Sequence, residues 1–255
     1  MSTLIGGKRV LVTAGGSGIG RAIVDRFIAA GAHVHTCDVQ KDFLKEVVST
    51  NERVTASLAD VGVPGEVETL VADAVDAMGG VDVLINNAGT SQRGPFMDIP
   101  DELWQDDLDL KLFASIRLTR LLFPGMCERQ WGRIINVLNV GAKIPSAEGA
   151  PTQVTRAAGM ALMKVLACEG APHNVLVNGL LVGKIRSDQW ERRHAVDERG
   201  LTLEEWYEDA GQTQPLGRLG HAEEFANMAC FLCSEQGSYI NGAAINVDGG
   251  LCQAV

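Results

Sequence analysis

Short runs of aliphatic and β-branched residues alternate with amphipathic stretches along almost the whole chain. RVLVT at Arg9–Thr13 predicts a strand. Gly18–Ala30, with Ile19, Ile23, Phe27 and Ile28 on one face, predicts a helix. The same reading predicts strands at His33–Cys37, Arg53–Ser57, Val81–Asn86, Arg133–Leu138, Val175–Leu180 and near Ala243–Val247. Helices are predicted near Lys41–Ser49 and at Glu66–Met78, Asp109–Gln130 and Thr152–Ala171. The run VDVLIN at 81–86 is apolar almost without interruption, as in strands covered by helices on both faces. Regular β-α-β alternation requires a parallel sheet with right-handed crossovers. The expected class is therefore α/β, a Rossmann-like doubly wound parallel sheet in three layers. No linker, repeat or low-complexity stretch divides residues 1–255, so one domain is expected. Only Arg186–Gly220, charged and containing Trp, breaks the alternation. Ligands of open α/β sheets sit beyond the carboxyl ends of the strands, so this insert is expected to act as a substrate lid.

Composition removes several classes of function. The chain has 255 residues, 46% hydrophobic and 21% charged, enough to bury a large core. Its 22 basic and 32 acidic residues give a net charge of −10, which repels phosphate backbones and argues against general nucleic-acid binding. Six scattered cysteines in a chain this long read as reduced thiols. The pair Cys230-x-x-Cys233 falls in the apolar run Phe225–Cys233, as a helix core face would. The five histidines show no metal-ligand spacing, so no metal site is expected. There is no signal-like N-terminus and no 18-residue apolar run. A cytoplasmic protein without membrane contact is the expectation.

The first candidate chemistry lies after the first strand, in Thr13-Ala14-Gly15-Gly16-Ser17-Gly18-Ile19-Gly20. Glycines between a strand and a helix let the backbone approach a pyrophosphate, and the helix N-terminus offers free N–H groups and partial positive charge. Gly15, Ser17, Gly18, Ile19 and Gly20 are the candidate contacts. Asp38, about twenty residues on at the end of the second strand, suits the hydroxyls of an adenosine ribose and would repel a 2′-phosphate. The expected cofactor is NAD rather than NADP.

With these pieces in place, the sequence resembles the short-chain dehydrogenase/reductase family over nearly its whole length. The resemblance is carried by the glycine loop, Asp60-Val61, Asn86-Asn87-Ala88-Gly89, the strand Gly132–Val137 and Pro215-Leu-Gly-Arg-Leu-Gly220. Tyr239-Ile-Asn-Gly and Asn246-Val-Asp-Gly-Gly250 extend it to the C-terminus. The first glycine of the family's loop is Ala14 here. The resemblance implies that Asp60 and Val61 flank the adenine and that Asn87, Ala88 and Gly89 line the cofactor cleft. Gly183 and Ile185 would meet the nicotinamide amide, with Val182 in place of the usual proline. It also implies a homotetramer built on the helices at Asp109–Gln130 and Thr152–Ala171 and on the tail Gly242–Val255.

At the family's catalytic Asn-Ser-Tyr-Lys positions the resemblance puts Lys111, Asn139, Thr152 and Arg156. Thr152 and Arg156, four apart on a helix, share a face. Arg156 keeps the positive charge of the family's Lys and can bond ribose hydroxyls, but it does not release a proton near pH 7. Asn139 can donate to a carbonyl oxygen. Lys111 adds a second cation, and a partly desolvated lysine becomes a usable acid. Such a site has good oxyanion stabilisation and poor general-acid capacity. Tyr207, in the insert, is one candidate to supply the missing hydroxyl. Trp190, Arg192, Arg193 and His194 in the insert suit an anionic or aromatic substrate, or equally a solvated helix face, and Lys184 and Arg186, which follow the nicotinamide-binding segment, add to the case for an anionic small molecule.

The expected function is an NAD(H)-dependent oxidoreductase of this family with a non-standard site, acting on a small carbonyl, alcohol or conjugated enone. Two alternatives belong to other classes: a catalytically silent NAD-binding or scaffold subunit, and a non-redox lyase on the same fold.

Overall fold

The structure, a computed structural model, describes residues 4–254. Its chain order is β1 (Arg9–Thr13), α1 (Gly18–Ala29), β2 (His33–Asp38), α2 (Lys41–Thr50), β3 (Val54–Leu58), α3 (Pro64–Met78) and β4 (Val83–Asn86). Next come α4 (Asp101–Leu108), α5 (Ala114–Glu128), β5 (Gly132–Asn139), α6 (Thr152–Gly170) and β6 (Val175–Val182). The chain ends with α7 (Asp188–His194), α8 (Leu203–Gln212), α9 (Ala222–Cys233) and β7 (Ala244–Val247). The seven strands form one sheet in the order β3-β2-β1-β4-β5-β6-β7, and every pairing is parallel. The predicted doubly wound α/β sheet is the observed one.

Alternation along the strands explains the layers. In β1, Val10 and Val12 join the core shared with Ile23 and Phe27 of α1 and Phe225 and Ala229 of α9. Leu11 points the other way, to Val67 and Leu70 of α3, Leu118 and Leu122 of α5 and Met163 of α6. Val83 and Ile85 of β4 follow the first set and Leu84 the second. A strand buried on both faces is apolar at nearly every position, hence the almost uninterrupted run in the sequence. Cys230 and Cys233 are fully buried in the first core, as expected for a helix core face.

One element differs from expectation. The predicted helix at Asp109–Gln130 begins earlier, at Asp101, and is interrupted by a wider, π-type turn over Asp109–Phe113. The segment DELWQDDL looks solvated because its few apolar residues give only a weak stripe. The insert, for which the sequence predicts no particular elements, carries helices of its own, α7 and α8. Trp190 and Trp206 pack there with ring centroids 5.6 Å apart. Val255, the last residue of the expected tail contact, lies outside the described residues.

Candidate active site

The strand order reverses direction between β1 and β4, and a cleft of about 410 Å³ opens beyond the carboxyl ends of the strands there. Its walls come from the loop after β1, the ends of β4, β5 and β6, the first turns of α6, and α7.

The loop after β1 is shaped by backbone constraints. Ala14 sits at φ +52° and Gly18 at +54°, in the left-handed region that costs a residue with a Cβ free energy. The Asn87 side chain holds this turn, donating to the carbonyls of Thr13 (2.9 Å) and Ala14 (3.1 Å). Ser17 precedes α1 without capping it, so its hydroxyl leaves the N–H groups at the start of that helix free of a cap bond. A Cβ on Gly16 would meet the Asp38 carboxylate at 2.7 Å, and the Gly16 N–H donates to that same carboxylate at 3.2 Å. Asp38 also accepts from the Gln40 N–H at 3.0 Å and lines the cleft. Open N–H groups, room for a phosphate against glycine backbone and a carboxylate beside them fit a dinucleotide. Ser17, Gly18, Ile19, Gly20, Asp38, Asn87, Gly89, Arg156 and Gly183 would hold it, all of them cleft-lining.

Other expected contacts sit further back. Gly15 packs on Thr36, where a side chain has no room. Val61 is buried in the core, Asp60 is exposed and caps its own turn through Gly62 N–H (2.8 Å), and the Ala88 N–H donates to Thr13 Oγ1 (2.9 Å). Ile185 is buried against Gly220. None of these five lines the cleft.

Of the expected catalytic residues, Asn139, Thr152 and Arg156 line the cleft and Lys111 does not. Arg156 donates to the Val137 carbonyl and lies where any Cβ on Gly89 would collide with it. Burial pushes its guanidinium down to about 10, against the pull of Asp107. Lys111, in the π-type turn, is turned inward behind Thr152, its side chain 1% exposed. It donates to Thr152 Oγ1 at 2.9 Å and pairs with the fully buried carboxylate of Asp107 one turn earlier. Burial and the nearby Arg156 charge push the Lys111 amine down to about 8, while Asp107 acts the other way. The Gln92 backbone N–H also donates to Thr152 Oγ1 at 2.9 Å. Both acceptor sites of the Thr152 oxygen are thus taken by N–H donors, and its own proton is left to give to an acceptor. In this structure that acceptor is Asp107 Oδ1, at 3.3 Å. Lys111 therefore stands behind the cleft wall and reaches the cleft through the Thr152 hydroxyl. Asp107 was not read from the sequence, although an Asp four residues before Lys111 on one helix face was the available signal.

The insert is placed only partly as expected. Trp190, Arg192, Arg193 and Lys184 line the cleft. Arg186 is bidentate to Glu204 (2.8 and 2.9 Å) and lies over the Tyr207 ring, so its charge is already paired. His194 bonds to the Leu201 carbonyl at 2.8 Å. Tyr207 is buried beside Trp206 and does not line the cleft. Arg93, on the loop after β4, lines it and was not anticipated. Among the described residues no cluster of three or more metal-ligating side chains forms, and no helix is long and apolar enough to cross a membrane.

A parallel sheet of this order with a glycine-rich turn at its switch point defines a dinucleotide-binding α/β protein. The sequence profile of a family described as enoyl-(acyl carrier protein) reductase matches residues 13–252. Dehydrogenase/reductase SDR family member 4 of Homo sapiens is 36% identical over 248 residues, covering 95% of this chain and 87% of the relative. A 2-keto-3-deoxy-L-fuconate dehydrogenase of Xanthomonas campestris pv. campestris is 32% identical over 253 residues, covering 98% and 81%. The crystal structure of L-sorbose reductase from Gluconobacter frateurii, complexed with NADPH and L-sorbose, superposes with a TM-score of 0.95. It is 34% identical and covers 100% of both chains. The chain belongs to the short-chain dehydrogenase/reductase family, oxidoreductases that use a nicotinamide cofactor.

Proposed function

We propose that this protein is an NAD(H)-dependent oxidoreductase acting on a small, anionic carbonyl, alcohol or conjugated enone through a site that departs from the family's Asn-Ser-Tyr-Lys tetrad. The observation that carries the reading is the Thr152 hydroxyl, in the cleft wall beside Arg156 and bonded to the buried Lys111 at 2.9 Å. The choice of NAD(H) over NADP(H) rests on Asp38, whose carboxylate would oppose a 2′-phosphate. When bound, the cofactor supplies or accepts a hydride at its nicotinamide ring.

The chain's own residues handle the charge and the proton. Asn139 has a partly buried amide whose oxygen finds no partner among the described residues, and its N–H groups can donate to a substrate oxygen. The Arg156 guanidinium adds fixed positive charge, worth most in a desolvated cleft. Threonine cannot ionise as a phenol does, but its hydroxyl can pass a proton on. Thr152 Oγ1–H gives its proton to the substrate oxygen and takes one from Lys111 Nζ, an acid of suitable strength near neutral pH. Conjugate reduction suits this arrangement best, because hydride goes to carbon while the cations hold the enolate oxygen. The insert closes over the cleft as a lid, and exposed Leu121, Val154 and Val165 on α5 and α6 favour burial of these helices between subunits of a homotetramer.

The test is NADH consumption at 340 nm against oxo acids, simple ketones and enoates. We expect turnover of a conjugated or anionic substrate, a loss of about 10²-fold on Arg156→Lys as the planar fork disappears, and negligible turnover of simple ketones. Rapid reduction of simple ketones, insensitive to Arg156→Lys and Lys111→Met, refutes the assignment. No tyrosine hydroxyl lines the cleft among the described residues, which favours a silent NAD-binding subunit as the second reading. NADH binding without turnover of any probe would select it.

A further inference from the structure

The charges around the cleft are unlike those of the rest of the molecule. The chain carries 32 acidic and 22 basic residues, yet among the described residues the cleft is lined by five cations, Arg93, Arg156, Lys184, Arg192 and Arg193, and by one carboxylate. That carboxylate is Asp38, on the glycine-loop side. Arg156 is held on the Val137 carbonyl, and Lys184 reaches the Thr213 hydroxyl at 3.3 Å. Arg186, two residues on from Lys184, is neutralised by Glu204 and stands outside the cleft. Arg93, Arg192 and Arg193 remain, and among the described residues none has a carboxylate partner.

These three guanidinium groups come from two separate segments of the cleft lining. Arg93 belongs to the loop after β4, which is stitched to the start of α6 by the bridge between Arg93 and Pro151 and by the Gln92 N–H on Thr152. Arg192 and Arg193 belong to α7, where Arg193 lies over the Trp190 ring at 4.7 Å. Arg93 and Arg193 are close enough that burial and the Arg93 charge together push the Arg193 guanidinium down. Like charges gathered without a counter-ion repel, and an oxyanion between them removes the repulsion while accepting paired N–H donors from both segments. A protein of net charge −10 repels anions at long range, so an anionic ligand needs such a local reversal to enter.

We propose that Arg93 and Arg193, assisted by Arg192, form an oxyanion subsite at the substrate end of the cleft that grips a carboxylate or phosphate remote from the reacting carbon and draws α7 toward the β4 loop. This rests on the same cleft being the substrate site, and it names the substrate as a small organic acid or phosphate ester that also carries the reacting oxygen. Since the Thr152 oxygen is tied to Gln92, one residue before Arg93, the anion grip also sets where the substrate oxygen meets Thr152.

The test uses matched probes, titrated calorimetrically into the full-length protein with and without NADH. The pairs are 4-oxopentanoate against its methyl ester and dihydroxyacetone phosphate against dihydroxyacetone. We expect at least one anion to bind ten times or more tightly than its neutral partner, and the tighter pair distinguishes carboxylate from phosphate. Arg93→Gln and Arg193→Gln should each weaken the anion five- to tenfold, and the double variant should bind the charged and neutral partners alike. Equal binding of both members of each pair, equal failure to bind, or anion affinity unmoved by either substitution overturns the subsite. NADH affinity is titrated first: anion selectivity without NADH binding would keep the subsite and remove the cofactor assignment.

Discussion

Replacing Lys111 by Met removes one half of a buried ion pair and leaves the other half in place. The Asp107 side chain is fully buried, and its second carboxylate oxygen has no partner among the described residues. Deleting one partner of such a pair typically costs about 3–5 kcal/mol, whereas replacing both with apolar groups is neutral or gains about 1–4 kcal/mol. Lys111→Met should therefore be strongly destabilised at pH 7, and the double change Asp107→Leu with Lys111→Met should recover wild-type stability or exceed it. The pH dependence checks the cause. The native lysine is depressed from 10.5 to about 8, so between those values the unfolded chain binds the proton more tightly. Wild-type stability should then rise with pH across that window, relative to the double variant. Below pH 8 both states carry the proton and the penalty stays constant. Guanidinium denaturation at intervals from pH 7 to 10 measures both effects. A Lys111→Met protein as stable as wild type, or parallel pH curves for wild type and the double variant, would refute the buried-pair reasoning.

Other expectations are more local. Asp38→Ala should narrow the NADH-over-NADPH preference, read by fluorescence titration, and equal affinities already in the wild type would remove the role of Asp38. Ala14→Gly relieves a positive φ that costs a side-chain-bearing residue about 1–3 kcal/mol. After glycine's greater chain entropy is counted, it should stabilise by about 1 kcal/mol, raising Tm by ~2–4 °C in calorimetry. His35, buried between Thr55 and Ser57, has its imidazole pushed down by burial to about 4 against the opposing pull of Asp73. The unfolded chain protonates first as pH falls, so about 3 kcal/mol of stability should disappear between pH 6.5 and 4, and less of it in His35→Asn. Light scattering at micromolar concentration should report a homotetramer, and a monomer would contradict the role given to α5 and α6.

The sheet was legible because burial on both faces writes itself into composition: β1, β4 and β5 are apolar at consecutive positions for a reason the layers make plain. The cofactor end was legible too, since a glycine turn between strand and helix and an acid closing the next strand obey local rules, and Asp38 does meet Gly16. The substrate end was not. Arg186 and Arg193 look alike in sequence, but Glu204, eighteen residues away, neutralises one and leaves the other facing the cleft. Arg93 lies in a loop with no periodicity to place it. Lys111 reads as a cation for the site, and only the packing of α4 and the π-type turn against α6 shows that it works from behind Thr152. Asp107 sits in a run of acids that resembles a solvated face until its burial is seen.

The most direct test of the central claim is transfer of label from NADH deuterated at the nicotinamide C4, with small oxo acids and enoates as acceptors and products read by mass spectrometry. The account predicts one deuterium on carbon in the product of an anionic acceptor, sharply reduced in Arg156→Lys and in Thr152→Val. NADH that binds in the cleft yet yields no deuterium in any product, or label transfer undiminished in both variants, would contradict it.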